Sequence, residues 1–165
     1  MCQVTGYGIY TCNDKKIAVV NLIGRVDMGV LSENPFVYIE DILEGIKDKS
    51  DIIIVDFHAE ATAEKVAMGY FLDGKVTAVF GTHTHVATAD EQIMENGTGY
   101  ITDIGMTGPS KSVIGVEIEV AIKRFLTSMP ERYKVSTDKN IIMNGCMLEI
   151  NDTTCRMEKI ERISI

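Results

Sequence analysis

Apolar residues in this chain fall into short continuous runs that alternate with segments of helical spacing. Two of the runs, over residues 52–57 and 76–80, predict strands of a buried sheet. Between them, a segment with helical spacing begins near Thr62 and stops at Asp73-Gly74. Its predicted apolar face consists of Ala63, Val66, Ala67, Tyr70 and Phe71. This order predicts a βαβ unit with parallel strands.

The flanking sequence predicts the remaining elements of the fold. Thr5–Tyr10 and Lys16–Ile23 read as strands joined at an Asn13-Asp14 turn, and Asn34-Pro35 is a favourable helix start. Later segments predict a strand near 99–102, a helix with Ile118, Ala121, Ile122 and Phe125 on one face, and antiparallel strands around Tyr133/Val135 and from Ile141 to Ile165. We therefore expect one α/β domain over residues 1–165, with layers built on a mixed sheet.

Composition and charge narrow the classes of protein that the chain can represent. The 45% hydrophobic and 24% charged residues are typical of a globular domain. A net charge of −8 argues against non-specific nucleic-acid binding, but a bound metal would still allow a small phosphorylated substrate. No apolar run approaches the roughly 18–20 residues that span a bilayer, and the start does not resemble a signal peptide. We therefore expect a cytoplasmic protein without a membrane partner.

The four cysteines give no sign of a structural metal site. Cys2, Cys12, Cys146 and Cys155 have no CxxC spacing, and none lies beside a histidine in the sequence. We interpret them as free thiols in a reducing compartment.

All three histidines of the chain lie at or just after the two apolar runs. His58 ends the first run, and His83 and His85 follow the second. In an extended segment, His83 and His85 would point to the same side, and His58 would lie at the same sheet edge. Three neutral imidazoles suit zinc, iron, manganese or cobalt. A single histidine after a strand is more often an ordinary polar residue, so the metal hypothesis depends on all three together.

Carboxylates near the histidines extend the candidate site. The candidates are Asp56, Glu60, Asp90 and Asp103, and two-metal phosphoesterases need such groups as ligands. Asp56 shares the face of His58 as a ligand or supporting group, unless it is simply solvated or in an ion pair. Glu60 could orient an imidazole through its other ring nitrogen, or favour the start of the next helix.

A glycine-rich segment over 105–109 offers a further candidate. Its backbone N–H groups could bind an anion. The spacing matches no P-loop and the lysine is missing, so an ordinary tight turn is the preferred interpretation. No nucleophile paired with a base is predicted, because the histidines are better used as ligands, and no catalytic side chain is identified in this chain.

Four segments together resemble the YmdB-like bacterial metallophosphoesterases, a calcineurin-like family linked to 2′,3′-cyclic nucleotide phosphodiesterase activity. They are residues 19–25, 56–62, 81–86 and 102–109, and the similarity runs from about Gly6 to Ile165. The resemblance implies a layered α/β/β/α sandwich of the metallophosphoesterase type. It implies a metal-dependent phosphoesterase that acts on cyclic nucleotides or similar phosphoesters through attack by a metal-bound hydroxide.

The same resemblance assigns roles to the histidines. His58 and His83 would bind one metal of a two-ion centre of iron, manganese or zinc, and His85 would bind the other. Asp56, Glu60 and Asp103 remain the candidates for supporting positions near the site.

The chain also departs from the family pattern. The GDxxG-type, GEN-type and GNHxW-type segments, which supply oxygen ligands and a proton donor in the family, have no counterpart in the sequence. The resemblance thus matches residues 1–165 to the C-terminal part of the family domain, incomplete at the N-terminus.

We expect weak or no activity from the chain alone, and a homo-oligomer or a partner that covers exposed apolar surface. The alternatives are a non-catalytic half that assembles with itself or a partner, and a three-histidine hydrolase with one zinc ion.

Overall fold

The computed structural model describes residues 6–29 and 32–165, which fold into two sheets and three helices. The six-stranded sheet contains β1 (Tyr7–Cys12), β2 (Lys15–Ile23), β3 (Ile52–His58), β4 (Ala78–Thr82), β5 (Gln92–Ile93) and β6 (Gly99–Ile101). The second sheet contains β7 (Thr107–Pro109), β8 (Ile141–Ile150) and β9 (Met157–Ser164). The helices are α1 (Pro35–Ile46), α2 (Thr62–Leu72) and α3 (Ile118–Thr127). The predicted mixed α/β class is confirmed; Cys2 and Thr5 lie outside the described residues.

The larger sheet has the strand order β1-β2-β3-β4-β6-β5. Strands β2, β3, β4 and β6 run parallel, while β1 and β5 pair antiparallel at the two edges. The predicted parallel βαβ unit is therefore confirmed as β3–α2–β4. Its register pairs Ile23 with His58 and His58 with Thr82, so the carboxyl ends of three strands meet at one edge. Open α/β sheets bind their ligands at this edge.

The core lies between one face of this sheet and helices α1 and α2. It includes Val20 and Leu22 of β2, Val55 and Phe57 of β3, Ile39, Ile42 and Ile46 of α1, and Met68 and Leu72 of α2. Alternate residues of β2 point to the opposite face, where the side chains of Val19 and Ile23 are 37% and 44% exposed. Val37 of α1 is exposed as well. Apolar surface is therefore open to solvent on both the sheet and a helix.

The predicted apolar face of α2 is confirmed for Val66 and Phe71, which pack against the core, but wrong for Ala63, Ala67 and Tyr70, which are exposed. The helix buries Lys65, Met68, Gly69 and Leu72, whereas Tyr70 is 70% exposed. Lys65 is buried because its ammonium pairs with Asp103. Gly69 is buried because the Tyr100 ring lies directly over it, so that a Cβ there would be 2.6 Å from ring atoms. Both causes come from β6 and the residues directly after it, which are distant in sequence from α2.

The C-terminal third adds the smaller sheet. Strand β8 pairs antiparallel with β7 and β9, and a turn at residues 151–154 links β8 to β9. The predicted strand near Tyr133 and Val135 is wrong, since Val135 forms only an isolated bridge to Val116. In α3, Phe125 and other apolar side chains are exposed. None of the helices in the described part of the chain is long and apolar enough to cross a membrane.

Candidate functional site

The chain turns sharply where β4 ends and the histidine segment begins. His83 and His85 both have left-handed backbone conformations, with φ of 107° and 67°. The expectation of an extended segment with both imidazoles on one side is therefore wrong. His83 lies against His58, whereas Nδ1 of His85 is 3.1 Å from the carbonyl oxygen of Ile114.

His58 and His83 form a close pair at the carboxyl edge of the sheet. Nε2 of His58 is 3.1 Å from Nδ1 of His83, and the rings meet edge to face with centroids 4.8 Å apart. Burial and the neighbouring charge of His83 lower the pKa of His58. The neutral imidazole of His58, which is the form that binds metals, is thus favoured.

A row of hydrogen bonds supports His58 from behind. Nδ1 of His58 is 3.0 Å from Oγ1 of Thr82, and Thr82 donates to Asp56 Oδ1 at 2.7 Å. The amide of Asn21 donates to Asp56 Oδ2, also at 2.7 Å. Asp56 therefore acts on His58 through Thr82. Sequence reasoning missed Thr82 and Asn21, although the polar Asn21 inside the apolar strand 16–23 and the hydroxyl of Thr82 directly before His83 were available signals.

Glu60 lies on the other side of the pair. Its Oε2 is 3.1 Å from Nε2 of His83, the ring nitrogen that faces away from His58. A carboxylate in this position accepts a proton from Nε2 and fixes the orientation of the ring, with Nδ1 directed toward His58. Glu60 is thus placed to orient His83.

Asp103 is buried and fully engaged. Its Oδ2 accepts from Lys65 Nζ at 2.6 Å and from the Thr84 hydroxyl and backbone N–H, and its Oδ1 accepts from Gly105 N at 2.9 Å. Thr84 lies between the two histidines, so Asp103 holds the turn that carries them. The N–H of Gly105 is used internally, and residues 107–109 form strand β7, so the interpretation of the whole segment as a tight turn is wrong.

Asp90 binds the backbone and side chain of Thr102, directly after β6. It accepts from the Thr102 hydroxyl at 2.5 Å and from the Thr102 N–H at 3.2 Å. Burial raises the pKa of its carboxyl, but hydrogen bonds from Thr102 and Thr88 outweigh this and hold the pKa below its usual 3.8.

This lowered pKa predicts a defined response to acid. Ionised Asp90 stabilises the fold fully above the pKa it has in the unfolded chain, and this contribution is lost as the pH falls through the lower folded pKa. We expect Asp90→Asn to be less stable at neutral pH and less sensitive to acidification below about pH 4. Urea midpoints of both proteins across this range measure the effect. Parallel pH profiles would contradict it.

The histidine pair fits part of a metal site. Two nitrogen ligands at about 2.0–2.1 Å from a tetrahedral metal are roughly 3.3 Å apart, and the observed separation is 3.1 Å. Across residues 6–29 and 32–165, no group of three or more histidine, cysteine or acidic side chains is arranged to hold a metal ion. The described residues therefore supply two nitrogen donors at a suitable spacing. His85 is not part of this pair, because its ring contacts the carbonyl oxygen of Ile114.

Comparisons with known proteins agree on one family. The profile described as "YmdB-like protein" matches residues 2–163. A 2′,3′-cyclic-nucleotide 2′-phosphodiesterase of Bacillus subtilis is 45% identical over 153 residues, which are 93% of this chain and 57% of that protein. A putative phosphatase/phosphodiesterase of Mycoplasma pneumoniae is 40% identical over 95% of this chain and 56% of its own. The chain thus spans less than two thirds of the length of these relatives.

Solved structures support the same assignment. A crystal structure of a phosphatase from Mycoplasma pneumoniae matches with a TM-score of 0.89 and 40% identity, over 97% of this chain and 57% of that one. A hypothetical protein from Thermus thermophilus matches with the same TM-score and 35% identity, over 97% and 61% of the two chains. The chain therefore belongs to the YmdB-like protein family.

Proposed function

We propose that this chain supplies histidine ligands to a metal-dependent phosphoesterase site for cyclic nucleotides or similar small phosphoesters. The observation that carries the proposal is the 3.1 Å approach of the His58 and His83 nitrogens at the carboxyl edge of the sheet. Membership of a family that includes a relative named as a cyclic-nucleotide phosphodiesterase supports the reaction class.

Each residue of the site has a distinct task in this proposal. His58 and His83 hold one divalent metal, and His85 serves a second ion; iron, manganese and zinc are the candidate metals. Glu60 orients His83, and Asp56 supports His58 through Thr82. When bound, the metal would activate water and stabilise the negative charge that develops on the phosphoryl oxygens.

In this proposal residues 1–165 correspond to the C-terminal part of the family domain, and the remaining ligands and the proton donor come from outside these residues. Two observations support this: the chain spans little more than half of its relatives, and Asp56 and Asp103 are already engaged by other groups. The exposed apolar side chains of Val19, Ile23 and Tyr70 give a second copy or a partner a surface to cover. The free thiols of Cys12, Cys146 and Cys155 support a cytoplasmic location for the assembly.

The test combines metal content and turnover of the isolated chain. With added Mn²⁺ or Fe²⁺, we expect metal binding but weak or no hydrolysis of bis(p-nitrophenyl) phosphate. His58→Ala should lower the metal affinity at least about tenfold, because one of two converging nitrogen donors is lost. Cys12→Ala is the matched control, since it removes another ligand-type side chain at an exposed position remote from the pair. Isothermal titration and elemental analysis measure both variants.

Two outcomes would contradict the proposal. Unchanged metal affinity in His58→Ala would remove its basis, and rapid hydrolysis by the isolated chain would show that the other ligands are not needed.

A second candidate function is a non-catalytic half that assembles with itself or a partner, which the open apolar surface of β2 and α2 favours. Turnover of the assembly separates the two candidates. In this one, the assembly detected by native mass spectrometry has no turnover even when metal is bound, whereas the first requires hydrolysis once the remaining ligands are supplied. Metal stoichiometry separates both from a hydrolase with a single zinc ion.

A further inference from the structure

The hydrogen bonds behind His58 have only one consistent set of directions. A carboxylate accepts and does not donate, so both oxygens of Asp56 require donors. The Asn21 amide Nδ2 supplies one at 2.7 Å, and the Thr82 hydroxyl supplies the other at 2.7 Å. The single proton of that hydroxyl is therefore committed to Asp56.

The hydrogen bond from Thr82 to Asp56 determines which nitrogen of the His58 ring carries the proton. With its proton used, Oγ1 of Thr82 can only accept from Nδ1 of His58, 3.0 Å away. Nδ1 then carries the ring proton, and Nε2 of the neutral imidazole keeps its lone pair. Nε2 of His58 is the nitrogen that lies 3.1 Å from Nδ1 of His83, so in the metal-free chain Nδ1 of His83 is the donor of this contact.

The sheet holds these groups at fixed positions. Asn21 pairs with Asp56 in the register of β2 and β3, and His58 pairs with Thr82 in the register of β3 and β4. Residue Phe57, between Asp56 and His58, is fully buried on the opposite face and prevents β3 from turning over. Side chains supported by strands keep a hydrogen-bond geometry more reliably than side chains on loops.

We propose that Thr82 is a positioning residue that fixes the His58 ring as the Nδ1–H tautomer and leaves Nε2 free for a divalent metal. Asp56 and Asn21 fix the orientation of Thr82. The link to metal binding rests on the proposed function, whereas the tautomer itself is a property of the metal-free chain. In a histidine whose ring has no fixed partner, either nitrogen can carry the proton.

The experiment compares Thr82→Val with Thr82→Ser. Valine keeps the shape of threonine but has no hydroxyl, and serine keeps the hydroxyl. We expect ¹⁵N NMR of the metal-free chain at about pH 8, where imidazole is neutral, to show a protonated Nδ1 and an unprotonated Nε2 for His58 in the parent chain and in Thr82→Ser. Thr82→Val should lose this signature and bind Zn²⁺ or Mn²⁺ about 10–100-fold more weakly.

Thr77→Val is the matched control. Its hydroxyl accepts from the Ile53 N–H at the opposite end of the same strands, so the substitution removes a threonine hydrogen bond without touching His58. We expect the His58 signature and the metal affinity of this variant to match those of the parent chain.

The possible negative results distinguish the tautomer inference from the proposed function. A parent chain with the proton on Nε2 overturns the inference even if Thr82→Val does not fold. Retention of the protonated Nδ1 in a folded Thr82→Val overturns it as well. A parent chain that shows the expected tautomer but binds no metal overturns the proposed function and leaves the role of Thr82 in place.

Discussion

Replacement of Lys65 by methionine is expected to lower the free energy of unfolding by about 3–5 kcal/mol, because it leaves a buried carboxylate without its cation. Lys65 and Asp103 are 1% and 0% exposed, and Nζ lies 2.6 Å from Oδ2. Methionine fills a similar volume, so lost packing contributes little to the change. Urea unfolding of the parent chain and of Lys65→Met measures the difference.

The matched control is Lys159→Met. Lys159 also pairs with a carboxylate at 2.6 Å, that of Glu161, but both side chains are about half exposed. Solvent screens this pair, and we expect its loss to leave the free energy of unfolding nearly unchanged. A similarly small change for Lys65→Met would contradict the prediction, since it would mean that Thr84 and Gly105 alone stabilise the charge of Asp103.

The same buried pair has a local consequence for the candidate site. Asp103 holds Thr84, and Thr84 lies between two histidines with strained left-handed backbones. We therefore expect the His83 ring resonances to shift in Lys65→Met. In Lys159→Met they should not shift, because that pair lies far along the second sheet.

Local sequence signals predicted the elements that surround the site. The turn at Asn13-Asp14, the cap at Asn34-Pro35 and the stop at Asp73-Gly74 act within a few residues, so each could be located without the fold. Continuous apolar runs likewise predicted parallel strands whose carboxyl ends carry His58 and His83.

Contacts between distant segments account for what the sequence did not predict. Periodicity assigns a lysine to the solvent side of a helix, yet Lys65 is buried because its partner is 38 residues away. Alternation along a strand assumes an extended backbone, whereas the contacts of Asp103 turn the chain at Thr84. The support of Thr82 for His58 depends on the register between β3 and β4, which the sequence of neither strand specifies.

Replacement of Gly81 by alanine is expected to destabilise the fold by about 1–3 kcal/mol or more, because its Cβ has no space. A Cβ on Gly81 would overlap the carbonyl oxygen of Thr102 and lie 2.8 Å from its carbonyl carbon and 2.9 Å from Cδ of Lys65. Two of these three atoms belong to backbone, which cannot move aside as the end of a side chain can. Strand β4 must therefore separate from the segment after β6. Thermal and urea unfolding measure the loss.

The displacement from Gly81→Ala should also reach the candidate site, because Gly81 is two residues before His83 and its carbonyl accepts from Ile104 N at 3.0 Å. We expect weaker metal binding together with lower stability. Gly45→Ala is the control: no atom lies within 4 Å of a Cβ there, and alanine is favoured over glycine inside α1, so stability should rise by about 0.5–1 kcal/mol. Parent-like stability in Gly81→Ala would show that β4 and the Thr102 backbone separate freely, and the close approach could not then fix the position of His83.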